Sequence, residues 1–324
     1  MTRRDVALAA AYVVLVLPAG LLTVLRLTQP PWGRAVQAVA FTPFALPLYA
    51  AALALLVVVF VVRRAVTRPG AVAAVLAAAG LLLHAWWFAP LWVGEAPKPA
   101  AGAEPVVVMT ANVLRGYGDG TELVDQARDR DVDLLVVTEI TISSLAAMQD
   151  AGLDELLPYA EGTPGADGDV PGTMLFSAEP TTLVDTLDTR LGGLVVETGD
   201  LSIVAAHPSS PVYPPEWRDD QEIVVAAVEQ HEPDLVVGDF NATLDHWPIR
   251  DVLDLGYRDS VELTNRGFQP TWPVNGTFGV LGFLGPVAQI DHVLVSDDWT
   301  ATETATTELD GTDHRPVVAV VARR

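Results

Sequence analysis

The sequence predicts an α/β domain, sheet packed on sheet beneath helical cover, carried behind an all-α group of three membrane-spanning helices. Three observations predict it. Long uncharged runs fill residues 1–94 and are absent beyond them. Past residue 104, apolar runs of four to seven residues alternate with amphipathic stretches, as short buried strands with interspersed helices do. Charge splits at the same boundary. Residues 1–93 hold seven Arg, no Lys and one acid, Asp5, whereas residues 94–324 hold 12 Lys+Arg and 40 Asp+Glu, a formal balance of 12 − 40 = −28.

The N-terminal region, residues 1–94, carries spans at about 6–25, 38–62 and 70–93. Each reaches the roughly 20 apolar residues that cross a bilayer as a helix. Pro18, Pro43 and Pro47 are tolerable there, and Trp86, Trp87 and Trp92 suit an interface. A cleaved signal peptide fits poorly, because no A-x-A site follows closely and two further spans remain. Arg3, Arg4, Arg63, Arg64 and Arg68 fall on one side of the bilayer; Arg26, Arg34 and Lys98 fall on the other. The positive-inside rule then puts the N-terminus in the cytoplasm and the C-terminal domain outside. His84, within the third span, reads as a lone intramembrane polar group, in a packing or interfacial position rather than a site. Residues 95–104 read as a Pro/Ala linker.

The soluble domain, residues 105–324, opens on the strand Val106–Ala111, which ends at Asn112. Thr121–Arg130 has helical spacing; Leu134–Val137 is a strand ending at Thr138 and Glu139; Ile142–Met148 reads as a helix. Residues 161–172 read as loop, followed by strands near 173–177, 182–187, 193–197 and 201–206, the last ending at His207. Glu216–Gln230 reads as a helix with Ile223, Val224, Ala227 and Val228 inward. The strand through Val236 and Val237 ends in Gly238-Asp239-Phe240-Asn241. In an extended chain, residues i and i+2 share a face, so Asp239 and Asn241 can enter one pocket; the same residues also suit a turn. A short helix near 248–255, loop over 265–286 and strands near 289–295 and 316–322 complete the domain.

One pattern recurs along it. Strand after strand ends in a residue fit for phosphate or metal chemistry: Asn112, Glu139, His207, Asp239 with Asn241, Asp291, and Asp313 with His314. Singly, each also suits a turn or a cap. Together they resemble the endonuclease/exonuclease/phosphatase superfamily in Thr110-Ala-Asn112, Thr138-Glu139, Ala206-His207-Pro208, Gly238-Asp239-Phe240-Asn241, Ile290-Asp291-His292 and Thr312-Asp313-His314-Arg315-Pro316. The resemblance covers residues 105–322 and implies a four-layered α/β/β/α sandwich of the deoxyribonuclease I type. It implies Mg²⁺-dependent cleavage of phosphate esters, with Mn²⁺ able to substitute. Glu139, Asn112 and Asp313 then resemble the metal site, and oxygen ligands suit Mg²⁺. Asp239 resembles the residue that orients or deprotonates water, and Asn241 a phosphate-oxygen grip. Asp291 and His314 resemble a carboxylate–histidine pair, with His314 either base or cationic clamp. His207 resembles a second phosphate-contacting histidine.

The expected function is that of a membrane-anchored phosphodiesterase or phosphomonoesterase with an extracytoplasmic catalytic domain. Its expected partners are a phosphate-ester substrate and the bilayer. An extracellular nuclease is one alternative; an inactive sandwich serving as a binding or sensing module is another. The acidic domain disfavours tight non-specific nucleic-acid binding, and Gln289 and Ala178 stand where many relatives carry a basic residue. The absence of cysteine rules out disulfides, thiolate catalysis and cysteine-ligated metals. The apolar, Gly-rich loop 275–286 suggests contact with lipid, or else Phe278, Leu281 and Phe283 tuck beneath it.

Overall fold

A computed structural model of the chain describes residues 2–94, 96–170, 172–274 and 285–324. They form two units, Met1–Pro90 and Leu91–Arg324. Most of the loop 275–286 therefore lies outside the described residues.

The first unit is helical: α1 (Arg3–Thr28), α2 (Gly33–Val39), α3 (Ala45–Arg63) and α4 (Arg68–Phe88). Three stretches, Arg3–Thr28, Thr42–Arg63 and Arg68–Leu91, are long and apolar enough to cross a membrane. A capping box starts α1, the Thr2 hydroxyl accepting the Asp5 amide and the Asp5 carboxylate accepting the Thr2 amide. Apolar side chains point outward all along these helices, including Val14, Leu17, Val61, Val62, Val75 and Leu82. Such surfaces are stable against lipid rather than water. His84 is not an isolated polar group. It is buried, and its Nε2 lies 2.9 Å from the Thr23 hydroxyl, which also meets the Tyr49 hydroxyl at 2.9 Å. Interhelical hydrogen bonds of this kind tie spans together where hydrophobicity supplies no drive.

In the second unit, two six-stranded sheets stack face to face. The first has β1 (Val106–Asn112), β2 (Leu134–Ile140), β3 (Tyr159–Thr163) and β4 (Gly172–Ser177), completed by two late strands. The second has β5 (Thr181–Leu187), β6 (Gly193–Thr198), β7 (Leu201–Ala206), β8 (Leu235–Asp239), β9 (Arg258–Asp259) and β10 (Asp291–Val295). The late strands β11 (Trp299–Thr306) and β12 (Val317–Arg323) return to the first sheet. Strand orders are β11-β12-β1-β2-β4-β3 and β5-β6-β7-β8-β10-β9.

Side-chain alternation assigns the layers. Val108, Leu134, Val136 and Leu175 face Val196, Ile203, Val237 and Val293 between the sheets. Met109, Leu135, Val137 and Phe176 point the other way, into a core shared with Leu123, Val124 and Met148. Those last residues belong to α5 (Gly120–Asp129) and α6 (Ile142–Asp150), with α7 (Leu153–Leu156) following. On the second sheet's outer side lie α8 (Pro214–His231) and α9 (Trp247–Asp254), while α10 (Ser260–Leu263) follows β9. Because central strands are buried on both faces, they read as continuous apolar runs.

Three strands depart from the sequence reading. Part of the segment read as loop over 161–172 belongs to β3, and neither β9 nor β11 was expected. All three are edge strands. An edge needs no continuous apolar run: β3 is Tyr-Ala-Glu-Gly-Thr and β11 is threonine-rich. Residues 97–100, read as linker, lie along the domain, with the Ala100 amide donating to the Arg323 carbonyl and the Thr300 hydroxyl to the Pro97 carbonyl.

Gly238 shows how tightly β8 is set. Its φ is +145°, and an added Cβ would stand 2.1 Å from the Ala206 carbonyl oxygen on the neighbouring strand. No backbone can yield there without breaking the β7–β8 ladder. Gly238→Ala is therefore expected to destabilise the domain by about 3 kcal/mol or more, read as a lowered midpoint in denaturant unfolding.

Candidate active site

Strand register brings the polar termini together. Parallel β1 and β2 place Asn112 beside Thr138, so their following loops leave from one edge. Parallel β7 and β8 place Ala206 beside Gly238, carrying His207 and Asp239 to the corresponding edge of the second sheet. β10 runs antiparallel to β8 with Asp291 opposite Asp239. β12 runs antiparallel to β1, so the residues before it, Thr312 to His314, reach the rim where β1 ends.

Asp239 is the hub. Only 1 % of it is exposed. Its Oδ2 accepts the Asn112 carboxamide at 2.8 Å, and its Oδ1 accepts the Asn241 amide at 2.8 Å. Two imidazoles face Oδ2, His207 Nε2 at 3.5 Å and His314 Nε2 at 3.7 Å. Burial alone would raise the Asp239 carboxyl, but His314, His207 and the Asn241 amide outweigh it and hold the group well below the usual range.

Glu139 sits at an irregularity where β2 slips register against β4 between Thr138 and Ile140, with φ of +59°. A bulge re-aims a side chain off the strand's alternation. Here it turns the carboxylate toward Asn112 Nδ2 at 3.2 Å and the Arg115 amide at 2.8 Å. Asn112 is thus a bridge: its Nδ2 faces both Glu139 and Asp239, while its Oδ1 accepts the Leu114 amide at 2.8 Å.

His314 and Asp291 form a buried pair, Nδ1 to Oδ2 at 2.9 Å. Burial disfavours the imidazolium, yet Asp291 and Asp239 overcome it and push His314 up to about 10. Asp291 is itself raised, by burial first and by Asp239 against the opposing pull of His314. Asp313 accepts the Trp272 indole at 2.9 Å through Oδ2, while its buried Oδ1 has no hydrogen-bond partner. Neither ring nitrogen of His207 makes a hydrogen bond; burial opposes its charging, but Asp239 raises it overall.

One sequence expectation needs correction. Asp239 and Asn241 do not share a face of an extended chain. Asn241 is left-handed, with φ of +49°, and its Nδ2 donates to the Pro208 carbonyl at 3.1 Å. The turn brings the pair together, with the Asp239 carboxylate capping the Asn241 amide.

The donor set fits a divalent cation. Glu139, Asp239, Asp291 and Asp313 are four carboxylates facing two imidazoles. Even with both imidazoles protonated, two negative charges remain in excess. Among the described residues, one His/carboxylate group whose candidate ligand atoms all lie within 4.8 Å of one another is Asp239, Asp291 and His314. His314 suits it poorly, since Nδ1 is engaged and the ring is strongly basic. The unpartnered Oδ1 of Asp313 and the half-buried Glu139 carboxylate suit a hard cation better.

Several supporting residues had no role assigned from sequence. The Thr271 hydroxyl accepts the Ile290 and Asp291 amides at 3.1 and 3.3 Å. Thr312 donates to the Asn112 carbonyl at 2.7 Å and accepts the His314 amide at 3.1 Å. Behind the rim, His292 Nδ1 lies 2.6 Å from Asp259 Oδ2 and its Nε2 lies 2.9 Å from the Ala242 carbonyl. Both partners are acceptors, so both ring nitrogens carry protons and His292 is a buried cation. Its neighbour Asp291 points to the other face of β10, as strand alternation requires. Only that alternation, applied to Asp291-His292, gave a signal for the pair.

Comparisons with known proteins bear on the family and the fold. A family model described as Endonuclease/Exonuclease/phosphatase family matches residues 109–314. Comparison with curated proteins finds no match. Similar solved structures include D. rerio TDP2 complexed with single strand DNA product, 14% identical, covering 67% of this chain and 99% of that one with a TM-score of 0.52. An AP endonuclease from Archaeoglobus fulgidus is 12% identical, covering 66% and 98% with a TM-score of 0.52. An endonuclease/exonuclease/phosphatase family protein from Bacteroides thetaiotaomicron is 15% identical, covering 69% and 100% with a TM-score of 0.50. The likeness shows the fold, a deoxyribonuclease I-like α/β sandwich.

The Asp259–His292 pair yields a pH signature. Burial opposes charge on His292, but Asp259 lifts it above its ordinary 6.5. A raised folded value means the pair's contribution is full below 6.5 and drains as pH climbs through the folded value. Asp259→Asn should lower stability by about 3 kcal/mol at about pH 6 and flatten the alkaline decline. Scanning calorimetry from about pH 6 to about pH 9 reads both.

Proposed function

Since the chain belongs to the Endonuclease/Exonuclease/phosphatase family, whose members are phosphoesterases and nucleases, we propose that it is a Mg²⁺-dependent phosphoesterase anchored in the cell membrane. The observation that carries this reading is Asp239, ionised and buried between two imidazoles, with the Asp291–His314 pair on one side and Glu139 on the other.

The roles follow from what each atom can reach. Glu139 and Asp313 would hold the metal, with Asn112 fixing Glu139 in place. Held by these residues, a divalent cation such as Mg²⁺ would supply charge neutralisation at the phosphate oxygens. Asp239 accepts a hydrogen bond from the attacking water and aligns its lone pair with phosphorus. Its low basicity suits orientation first, with the water's proton passing to it only as the bond to phosphorus forms. His314, held between Asp291 and Asp239, donates from Nε2 to a phosphate oxygen as charge develops. Asn241 offers its remaining carboxamide proton to the same group. His207, whose ring nitrogens have no hydrogen-bond partner, protonates the departing ester oxygen.

A nuclease is the second reading, supported by the fold shared with the D. rerio protein bound to single strand DNA product. The formal balance of −28 over residues 94–324 weighs against it, because a polyanion meets repulsion at every approach. The arginine asymmetry of the spans favours an extracytoplasmic catalytic domain. A C-terminal alkaline phosphatase fusion should be active and a C-terminal fluorescent protein of cytoplasmic type dark; the reverse pattern rejects this orientation.

The purified full chain, in detergent with Mg²⁺, is to be assayed against DNA, phosphoinositides, sphingomyelin and simple phosphomonoesters. Glu139→Ala and His314→Ala should each lower turnover by about 100-fold or more, and excess chelator should abolish it. Undiminished turnover in both variants, or in chelator, rejects the mechanism.

A further inference from the structure

The loop after β1 carries an arginine that the proposed chemistry leaves unused. Leu114, Arg115 and Gly116 have φ of +43°, +55° and +79° in succession. Two of the three are not glycine, and each such residue costs roughly 1–2 kcal/mol in the left-handed region. Side chains of the site hold the strain. Asn112 Oδ1 accepts the Leu114 amide at 2.8 Å, and Glu139 Oε2 accepts the Arg115 amide at 2.8 Å. Gly116 is pressed against Thr141, whose hydroxyl an added Cβ would meet at 2.4 Å. The backbone of Arg115 is thus fixed on the Glu139 carboxylate, and the residue is exposed.

Most guanidiniums of this domain are engaged by protein groups. Arg128, Arg218, Arg258 and Arg315 pair with Asp125, Glu222, Glu262 and Glu308. Arg130, Arg323 and Arg324 donate to backbone carbonyls, and Arg190 lies over the Tyr213 ring. Among the described residues, no protein group engages the guanidinium of Arg115, although acids outnumber bases by 28 over residues 94–324. A free guanidinium at the edge of a phosphoester site is a bidentate receptor for phosphate or carboxylate.

Resting on the phosphoesterase reading, we infer that Arg115 is a specificity residue: it binds a second, non-reacting anionic group on the substrate. The preferred substrate is then a phosphoester bearing a phosphate or carboxylate one side-chain reach from the scissile bond. Placed on a turn shared with Glu139, Arg115 fixes the distance between the two anionic groups. No new bond forms or breaks at Arg115.

Two probes differing by one phosphate test this: thymidine 5′-(p-nitrophenyl phosphate) and the same ester phosphorylated at the 3′ oxygen, the nucleoside serving as spacer. The wild-type chain should favour the 3′-phosphorylated probe by about 10- to 100-fold in kcat/KM, chiefly through KM. Arg115→Ala should erase that preference and leave the unphosphorylated probe within about twofold, with Arg115→Lys retaining part of it. Arg128→Ala, losing the same charge elsewhere, should keep the full preference. Equal losses on both probes, or a preference that survives Arg115→Ala, overturns the inference. Turnover of DNA, phosphoinositides, sphingomyelin or simple phosphomonoesters decides the phosphoesterase reading separately; should the wild type hydrolyse neither probe, calorimetric titration of the intact probes decides the inference alone. Tighter binding of the 3′-phosphorylated probe, lost in Arg115→Ala, upholds it; equal binding by the wild type overturns it.

Discussion

The hydrogen bond from the Asn112 carboxamide to Asp239 joins the two sheets at their shared rim. Asn112 ends a strand of the first sheet and Asp239 a strand of the second. The remaining parts of the site hang on these two residues. Thr312 holds the Asn112 carbonyl and the His314 amide, so the segment before β12 is set by β1. Asn112 also faces Glu139, and Asp239 caps the Asn241 turn. The sandwich fixes how far apart the sheets lie, and that spacing decides whether the bond can form. A constellation of polar side chains spread over two sheets is therefore only as well placed as the apolar layer between them.

Burying four carboxylates in one rim is costly unless each is compensated. The structure compensates them unequally. Asp291 has a histidine, Asp239 has two amide donors and two imidazoles, and Glu139 has a backbone amide and a carboxamide. Asp313 has an indole on one oxygen and no hydrogen-bond partner on the other. A site that fully satisfied its acids from protein groups would have no affinity left for a cation. The unmatched charge is thus concentrated where an exchangeable ion can supply it.

Much of this was legible in the sequence because central strands announce themselves. Leu134–Val137 and Leu235–Val237 are buried on both faces, as are Val108 and Met109, and a polar residue two or three positions past each run reads as a rim residue. Asn112, Glu139 and Asp239 were found that way. The edge strands β3, β9 and β11 carry no such apolar run and were missed, whereas the edge strand β5 was read near 182–187. Supporting residues were hidden for another reason. Thr271 acts on Asp291 through two backbone amides, and Asp259 reaches His292 across 33 positions of chain. Neither relation leaves a periodic trace. Asn241 stands beside Asp239 for a reason other than the one read from sequence: a left-handed turn, rather than strand alternation, delivers it.

That error bears on how turn and site relate. Gly-Asp-Phe-Asn looked like a choice between a turn and a catalytic motif, yet the role proposed for Asp239 requires the turn. Only a turn lets one Asp239 oxygen cap the following backbone while the other stays directed at Asn112 and the imidazoles. The same economy recurs after β1, where Asn112 spends Oδ1 on the Leu114 amide and Nδ2 on the carboxylates. It recurs at Glu139, whose two oxygens divide between Asn112 and the Arg115 amide. In each case a polar side chain fixes its own loop with one atom and addresses the site with another. Loops held in this way have few alternative conformations, because moving the backbone would leave a buried polar group unpaired. The rim can then present a fixed arrangement of charge despite being built from loops, and rigid placement of this kind is what stabilises a phosphoryl transition state.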